Sequence, residues 1–324
     1  MRNLLRLSVF AFASVFAPLL LGQAQAQPYP SKPVRMIVPQ PPGGASDVVA
    51  RLLGQKLTEL WGQNVIIDHR PGAGTVIGTL TVAKAPPDGY TFGMVVGSHY
   101  INPTLRKELP YDTLKDFAPL TQLGFMVTAL VAHPAFPAND VRGLIALAKA
   151  KPNGIEYASL GIGTGTHLAG ELLKTEAGIN LLHVPYNGSS PAYNDLLAGR
   201  VQIGFVLLQS ALPHVKSGRL KVLGITNPRR SAAYPEYPTI GETVPGFSLL
   251  SMFGFVAPAG TPPEIVQKLS ADLVRVITVP EMRQKLTELG IEVVGSKPDE
   301  FDSFIRTEIV RWAPVVRQSG AKAD

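Results

Sequence analysis

One arrangement occurs twice in this chain: a short apolar strand, a glycine-rich loop, and a Ser or Thr that opens a helix. The first copy runs from Val34–Val38 through Pro39-Gln40-Pro41-Pro42-Gly43-Gly44-Ala45 to Ser46. The second runs from Ile155–Ser159 through Leu160-Gly161-Ile162-Gly163-Thr164-Gly165 to Thr166. In an open α/β sheet the ligand crevice lies beyond the carboxyl ends of the strands, where both loops must sit. Glycine lets a backbone approach a ligand closely, and the free N–H groups of a helix start are anion donors. Ser46 and Thr166 are natural N-caps whose hydroxyls can instead turn to a ligand. An ionised carboxylate only accepts hydrogen bonds, so two donor-rich loops suit it.

The rest of the chain alternates strands and helices in the same way. Val48, Val49, Leu52, Leu53, Leu57, Leu60 and Trp61 fall at spacings of three and four, the stripe of an amphipathic helix ended by Gly62. Further strands are expected at 64–67, 90–96, 129–132, 182–184, 201–207 and 220–226. Further helices are expected at 75–84, 141–150, 167–177, 192–198, 263–277, 281–289 and 298–318. This succession predicts a largely parallel sheet covered on both faces.

Composition narrows the function classes. Arg2 and Arg6, an apolar run from Leu7 to Leu21 and then Ala24-Gln25-Ala26 read as a cleavable signal peptide over residues 1–26, so an exported, periplasmic protein is expected. There is no cysteine, which excludes disulfides and thiolate chemistry. The 324 residues are enough for two domains held by their own cores. The formal charge is +6, and the basic residues are scattered, so no nucleic-acid stripe is expected. None of the six histidines shows metal-ligand spacing, so neither a metal nor a cofactor is expected. The second loop lacks the final glycine of a dinucleotide fingerprint, and neither loop ends in Gly-Lys-Ser/Thr. No Gly-x-Ser-x-Gly elbow occurs, which leaves a secreted hydrolase as the weaker alternative and a non-enzyme as the expectation.

Several motifs then resemble the extracytoplasmic receptors of tripartite tricarboxylate transporters, the Bug family. They are Lys32 to Pro39, Pro41-Pro42-Gly43-Gly44-Ala45-Ser46-Asp47, Arg70-Pro71-Gly72-Ala73-Gly74, Pro87-Asp88-Gly89-Tyr90-Thr91 and Tyr111-Asp112. Gly165-Thr166-His167-Leu168-Ala169-Gly170-Glu171, His183-Val184-Pro185-Tyr186, Ser210-Ala211-Leu212-Pro213-His214 and Ala257-Pro258-Ala259-Gly260-Thr261-Pro262 continue the series in family order. The resemblance implies an α/β, two-domain periplasmic-binding-protein (Venus-flytrap, type II-like) fold with the ligand cleft between domains. It also implies no catalysis, and a monomer that delivers a small carboxylate to a membrane permease. On this reading residues 27–123 and 251–324 form domain 1, and residues 124–250 form domain 2.

Carried over residue by residue, the ligand-binding positions are Gly43, Gly44, Ala45, Ser46 and Asp47 in the first loop, and Gly163, Thr164, Thr166 and His167 in the second. Ser98 and Asn102 are expected to line the cleft, with Tyr186 and Phe205 as walls. Asp47 and His167 equally suit a purely local role, shaping or capping their helix starts, and Arg70 suits either the steering of anions or a surface salt bridge. The chain departs from the family at Gln40, commonly Phe, at Asn187, commonly Lys, and at Val206-Leu207, often Asp-Asn. Loss of that acid and amide points to a ligand with one gripped carboxylate and a less polar, even aromatic, remainder. A sensor adaptor that docks on a membrane kinase would have the same fold and remains an alternative.

Overall fold

In a computed structural model, residues 29–186 and 188–321 are described; the expected signal peptide and Asn187 lie outside them. The chain builds two sheets. The first contains β1 (Val34–Val38), β2 (Val65–His69), β3 (Thr91–Val96), β4 (Phe117–Met126), β10 (Ser251–Pro258) and β11 (Ile291–Val293), in the order β11-β4-β10-β3-β1-β2. The second contains β5 (Thr128–Ala132), β6 (Glu156–Ser159), β7 (Leu182–Pro185), β8 (Ile203–Leu207) and β9 (Lys221–Ile225), in the order β7-β6-β8-β5-β9.

Both sheets are mixed, which corrects the expectation of largely parallel sheets. β1 runs parallel to β2 and β3, but β10 runs antiparallel to both β3 and β4. In the second sheet β6 is parallel to β7 and β8, while β5 is antiparallel to β8 and β9. The reason lies in the strands that carry the chain between sheets. β4 and β5 are consecutive with no crossover helix between them, and β10 returns from the second sheet into the middle of the first. Only strands joined through a helix keep a parallel neighbour.

The helices that cover these sheets bury one face each. α1 (Ala45–Trp61) buries Val49, Leu53 and Leu57 beside Met36 and Val38 of β1, and the αL residue Gly62 ends it. α2 (Val76–Ala83) and α3 (Ser98–Leu105) follow β2 and β3. α8 (Pro263–Thr278) and α9 (Pro280–Glu288) complete the first half, adding Leu269, Leu273 and Leu286 to the same cluster. In the second half α4 (Val141–Ala150), α5 (Gly165–Ala177), α6 (Ser189–Leu197) and α7 (Leu208–Lys216) alternate with the strands. The C-terminal helix α10 (Pro298–Ser319) packs against both halves: Phe304 meets Tyr100 of α3, and Gln318 accepts a hydrogen bond from Thr175 of α5.

Between Met126 and Thr128 the chain passes from one sheet to the other, and it returns at Ser251. β4 therefore stays in the first sheet past the expected border at residue 123. The two passages are stitched together, with the Thr128 and Ser251 hydroxyls 2.8 Å apart and Leu249 N–H donating to the Thr226 carbonyl at 2.7 Å.

Gly254, at the centre of β10, lies against the fully buried ring of Phe301 from α10. A methyl group there has no room unless that ring moves. Gly254→Ala is expected to cost about 1–3 kcal/mol, measured as a lower urea midpoint, with partial recovery on adding Phe301→Leu. An unchanged midpoint would show that α10 yields freely.

Candidate ligand-binding site

Both glycine loops lie at the carboxyl ends of their strands, β1 and β6, and each feeds a helix. They are built on one plan, residue for residue. Gly43 and Gly163 adopt positive φ values of 89° and 74°, open to glycine at little cost. The N–H of each turns inward to a side chain four residues on. Gly43 N–H donates to Asp47 Oδ2 at 2.9 Å, and Gly163 N–H donates to His167 Nδ1 at 3.1 Å.

The hydroxyls form a second tie. Ser46 Oγ donates to Gln40 Oε1, while Thr166 Oγ1 accepts from Leu160 N–H at 2.9 Å. In both loops the bond closes on the residue six positions earlier. Thr164 caps α5 by accepting from His167 N–H, whereas Gly44, at the matching place in α1, offers no side-chain cap.

With these groups committed, four donors remain on the first two residues of the two helices. Among the described residues no acceptor meets the N–H groups of Ala45 and Ser46 at the start of α1, or of Gly165 and Thr166 at the start of α5. First-turn N–H groups have no intrahelical partner and carry the positive end of the helix dipole. Each loop is thus a two-donor cradle shaped from behind by its own side chains.

Buried and half-buried side chains support both loops, with Arg51 reaching in from the surface. Asp47 Oδ1 lies 2.9 Å from His69 Nε2 and 2.8 Å from Arg51 Nε, and His69 Nδ1 reaches the Gln40 carbonyl at 3.0 Å. The Gly43 N–H above all, aided by Arg51 and His69, holds the Asp47 carboxyl below its usual range. Behind the second loop His167 stacks on His183 with ring centroids 4.0 Å apart, and His183 stacks in turn on Tyr157. His183 Nε2 lies 2.7 Å from Ser159 Oγ. Glu171, buried below them, accepts from Tyr157 and from Lys174. Burial first, and then neighbouring His167, pushes His183 down to about 4; burial also lowers His167.

Asp47 and His167 each shape their own loop, Asp47 through both carboxylate oxygens and His167 through Nδ1. Ser98 and Asn102 both hold the turn Ala73–Thr75: Ser98 Oγ lies 2.6 Å from Thr75 Oγ1, and Asn102 Nδ2 donates to the Gly74 carbonyl at 3.2 Å. Tyr186 stands beside the second loop with its hydroxyl on Asp195 at 2.8 Å. Phe205 presents no exposed surface; it is wholly buried with its ring edge on Tyr157. Arg70 is bound to Asp68 at 2.9 Å. Gln40 braces Ser46, and Val206 is fully buried in the second core. His69, His183 and Arg51 were not singled out from sequence as parts of the site. Each is paired with a residue distant along the chain or with one that had another role in view.

Two cavities are lined by residues outside the loops. One of about 360 Å³ is bordered by Arg142, Lys149, Glu176 and Glu242, and one of about 190 Å³ by Leu172, Trp312 and Val315. Among the described residues no three His, Asp or Glu side chains converge as a metal site, and no helix is long and apolar enough to cross a membrane.

A sequence profile described as the tripartite tricarboxylate transporter family receptor matches residues 49–321. The chain belongs to this family. It is 36% identical to Protein BugT of Bordetella pertussis over 315 residues, covering 96% of this chain and 95% of that one. Rhodopseudomonas palustris MatC with bound malate superposes with a TM-score of 0.76 at 31% identity, covering 89% of this chain and all of that one. R. palustris Rpa4515 with adipate gives a TM-score of 0.80 at 34% identity, covering 91% and 99%. The fold is accordingly the two-domain periplasmic-binding-protein fold, with mixed α/β domains around a cleft.

The buried histidines make the folded receptor acid-sensitive. His183, at about 4, and His99, which burial alone lowers to about 3, bind their protons more weakly folded than unfolded, where histidine titrates near 6.5. Protonation thus favours unfolding, and stability present above pH 6.5 is lost as the pH falls through 4 and then 3. Melting temperature is expected to drop steadily from pH 6.5 to pH 4, and His183→Gln should make that whole stretch of the curve shallower. A flat wild-type curve would contradict the burial of both rings.

Proposed function

We propose that this receptor is exported by its N-terminal signal peptide, closes its two domains on one end of a small carboxylate, and delivers that ligand to a tripartite tricarboxylate-type permease. The domains divide where the sheets exchange the chain, near Val127 and Leu250. The observation that carries the reading is the matched pair of cradles. Two loops on different sheets, each locked from behind, leave two pairs of N–H groups that lack acceptors. A carboxylate has two oxygens and only accepts, so it can take donors from both loops at once. The malate and adipate held by MatC and Rpa4515 support a carboxylate as the ligand class. Val206-Leu207 brings no acid or amide to the carboxyl end of β8, which favours a ligand whose remainder is weakly polar. On this reading the protein acts by binding and leaves the ligand chemically unchanged.

The cradle can be tested without unfolding the helices. Ala45 and Gly165 are the first residues of α1 and α5, where proline is tolerated. The residues before them, Gly44 (ψ 178°) and Thr164 (ψ 161°), already hold the extended backbone that proline requires. Ala45→Pro and Gly165→Pro each delete one N–H and little else. A hydrogen bond to a charged group is worth about 1.5–3 kcal/mol, so each variant is expected to bind its carboxylate about tenfold or more weakly. The carboxylate is first found by thermal-shift screening of mono-, di-, tri- and aromatic acids, because a ligand that binds only the folded state raises the melting temperature. Unchanged affinity in both proline variants, at unchanged melting temperature, would refute the cradle.

A further inference from the structure

Two exposed large aliphatic side chains, Ile162 and Ile77, stand next to residues that form or pack on the two loops. Ile162 is 57% exposed at the tip of the second loop, between Gly161 (φ 136°) and Gly163 (φ 74°). Ile77 is 48% exposed in the first turn of α2. One face of α3 brings their surroundings together. Asn102, Leu105 and Arg106 are spaced i, i+3, i+4 and share that face. Asn102 and Arg106 hold the carbonyls of Gly74 and Ala73, the latter at 2.8 Å. Leu105, between them, meets the second loop: a methyl group on Gly163 would lie 2.5 Å from Leu105 Cδ2.

Ile77 covers the same turn from its other end, since a methyl group on Gly72 would lie 2.5 Å from Ile77 Cδ1. Its neighbour Gly78 packs on Pro39, the first residue of the first loop, where an added methyl would come within 2.7 Å of the Pro39 Cα. Ile77 thus stands next to the residue that packs on the first loop, and Ile162 next to the residue that meets α3. Ile162 is three residues from the unpartnered N–H of Gly165.

Resting on the receptor reading, we propose that Ile162, with Ile77 at the opposite edge of the α3 face, is a specificity-determining contact for the body of the bound acid. Closure over a ligand removes these side chains from water, which is favourable only against apolar surface. A hydroxyl or second carboxylate placed there loses its hydration without gaining a partner. The favoured ligand class is an aliphatic or aromatic monocarboxylate over a hydroxylated di- or tricarboxylate.

The test is isothermal titration of the mature protein with hexanoate, benzoate and malate, on wild type, Ile162→Asn, Ile77→Asn and the conservative Ile162→Leu, each checked for an unchanged melting temperature. Wild type is expected to prefer hexanoate or benzoate over malate. Ile162→Asn and Ile77→Asn should each shrink that preference at least about fivefold, from the lost apolar burial, while Ile162→Leu keeps it. Tighter wild-type binding of malate, or a change in both Asn variants that is equal for all three acids, overturns the inference and leaves the receptor reading standing. Failure to bind any carboxylate, these or the wider screen, removes the receptor reading and the inference with it.

Discussion

The inward turn of one glycine N–H in each loop is the contact on which the site depends. Gly43 and Gly163 spend their donors on Asp47 and His167, one turn into the helix that follows. That bond closes a small ring of backbone, fixes the positive φ of the glycine, and aims the next first-turn N–H groups away from the protein. A loop without the tie would have many conformations, and ordering it on binding would consume part of the affinity. The acceptor must be a side chain that stays unprotonated at its bonding atom. Asp47 meets this through Arg51, His69 and the glycine itself, and His167 meets it through burial. The two halves reach one geometry with opposite electrostatics: a carboxylate with a cation beside it in the first, and a neutral stacked imidazole in the second.

The mixed sheets set how the halves can move. β4 leads directly into β5, and the return at β10 lies beside it, tied through Thr128 and Ser251. Two adjacent passages joined by side-chain hydrogen bonds make a narrow waist about which two rigid sheets can rotate. α10 complicates this picture, because it packs on α3 and also touches α5. Arg311 donates to Ser248 Oγ at 2.8 Å, and Trp312 donates to the buried carboxylate of Glu308 at 2.8 Å within the same helix. A rotation of one sheet against the other must slide or release the contacts of α10 with Tyr100, Thr175 or Ser248, so the C-terminal helix takes part in it even though its sequence lies far from the waist.

Much of this was legible in the sequence because it is local. The loop–helix units, the stripe of α1 and the order of the motifs depend on residues close along the chain. The strands β4 and β10 were not legible as strands. β4 contains Pro119 and Gly124, and β10 is apolar on both faces with Gly254 inside it, so neither shows an alternating pattern. α3 and α7 are short and contain Pro103 and Pro213, which argue against a helix until packing settles the matter. The braces were hidden for another reason. His69 reaches Asp47 and His183 reaches Ser159 only because neighbouring strands bring them alongside, and no spacing rule connects such pairs. Ser98 and Asn102 were placed near the cleft from resemblance, and what they hold is the turn Ala73–Thr75, where two non-glycine residues, Ala73 and Thr75, take positive φ.

Backbone donors also limit what the cradles can distinguish. An N–H at the start of a helix is nearly the same object whatever side chain it carries, so Ala45, Ser46, Gly165 and Thr166 can recognise the presence of a carboxylate but not the molecule attached to it. The hydroxyls that might have added discrimination are turned back into the loops, Ser46 to Gln40 and Thr166 to Leu160. Selectivity then has to come from side chains around the cradles rather than within them. A family that keeps the loop motifs can therefore change its ligand by replacing a few peripheral residues, without disturbing either lock. In this chain the side chains exposed beside the loops include Ile77 and Ile162, and on the proposed reading the choice among acids falls to apolar contact.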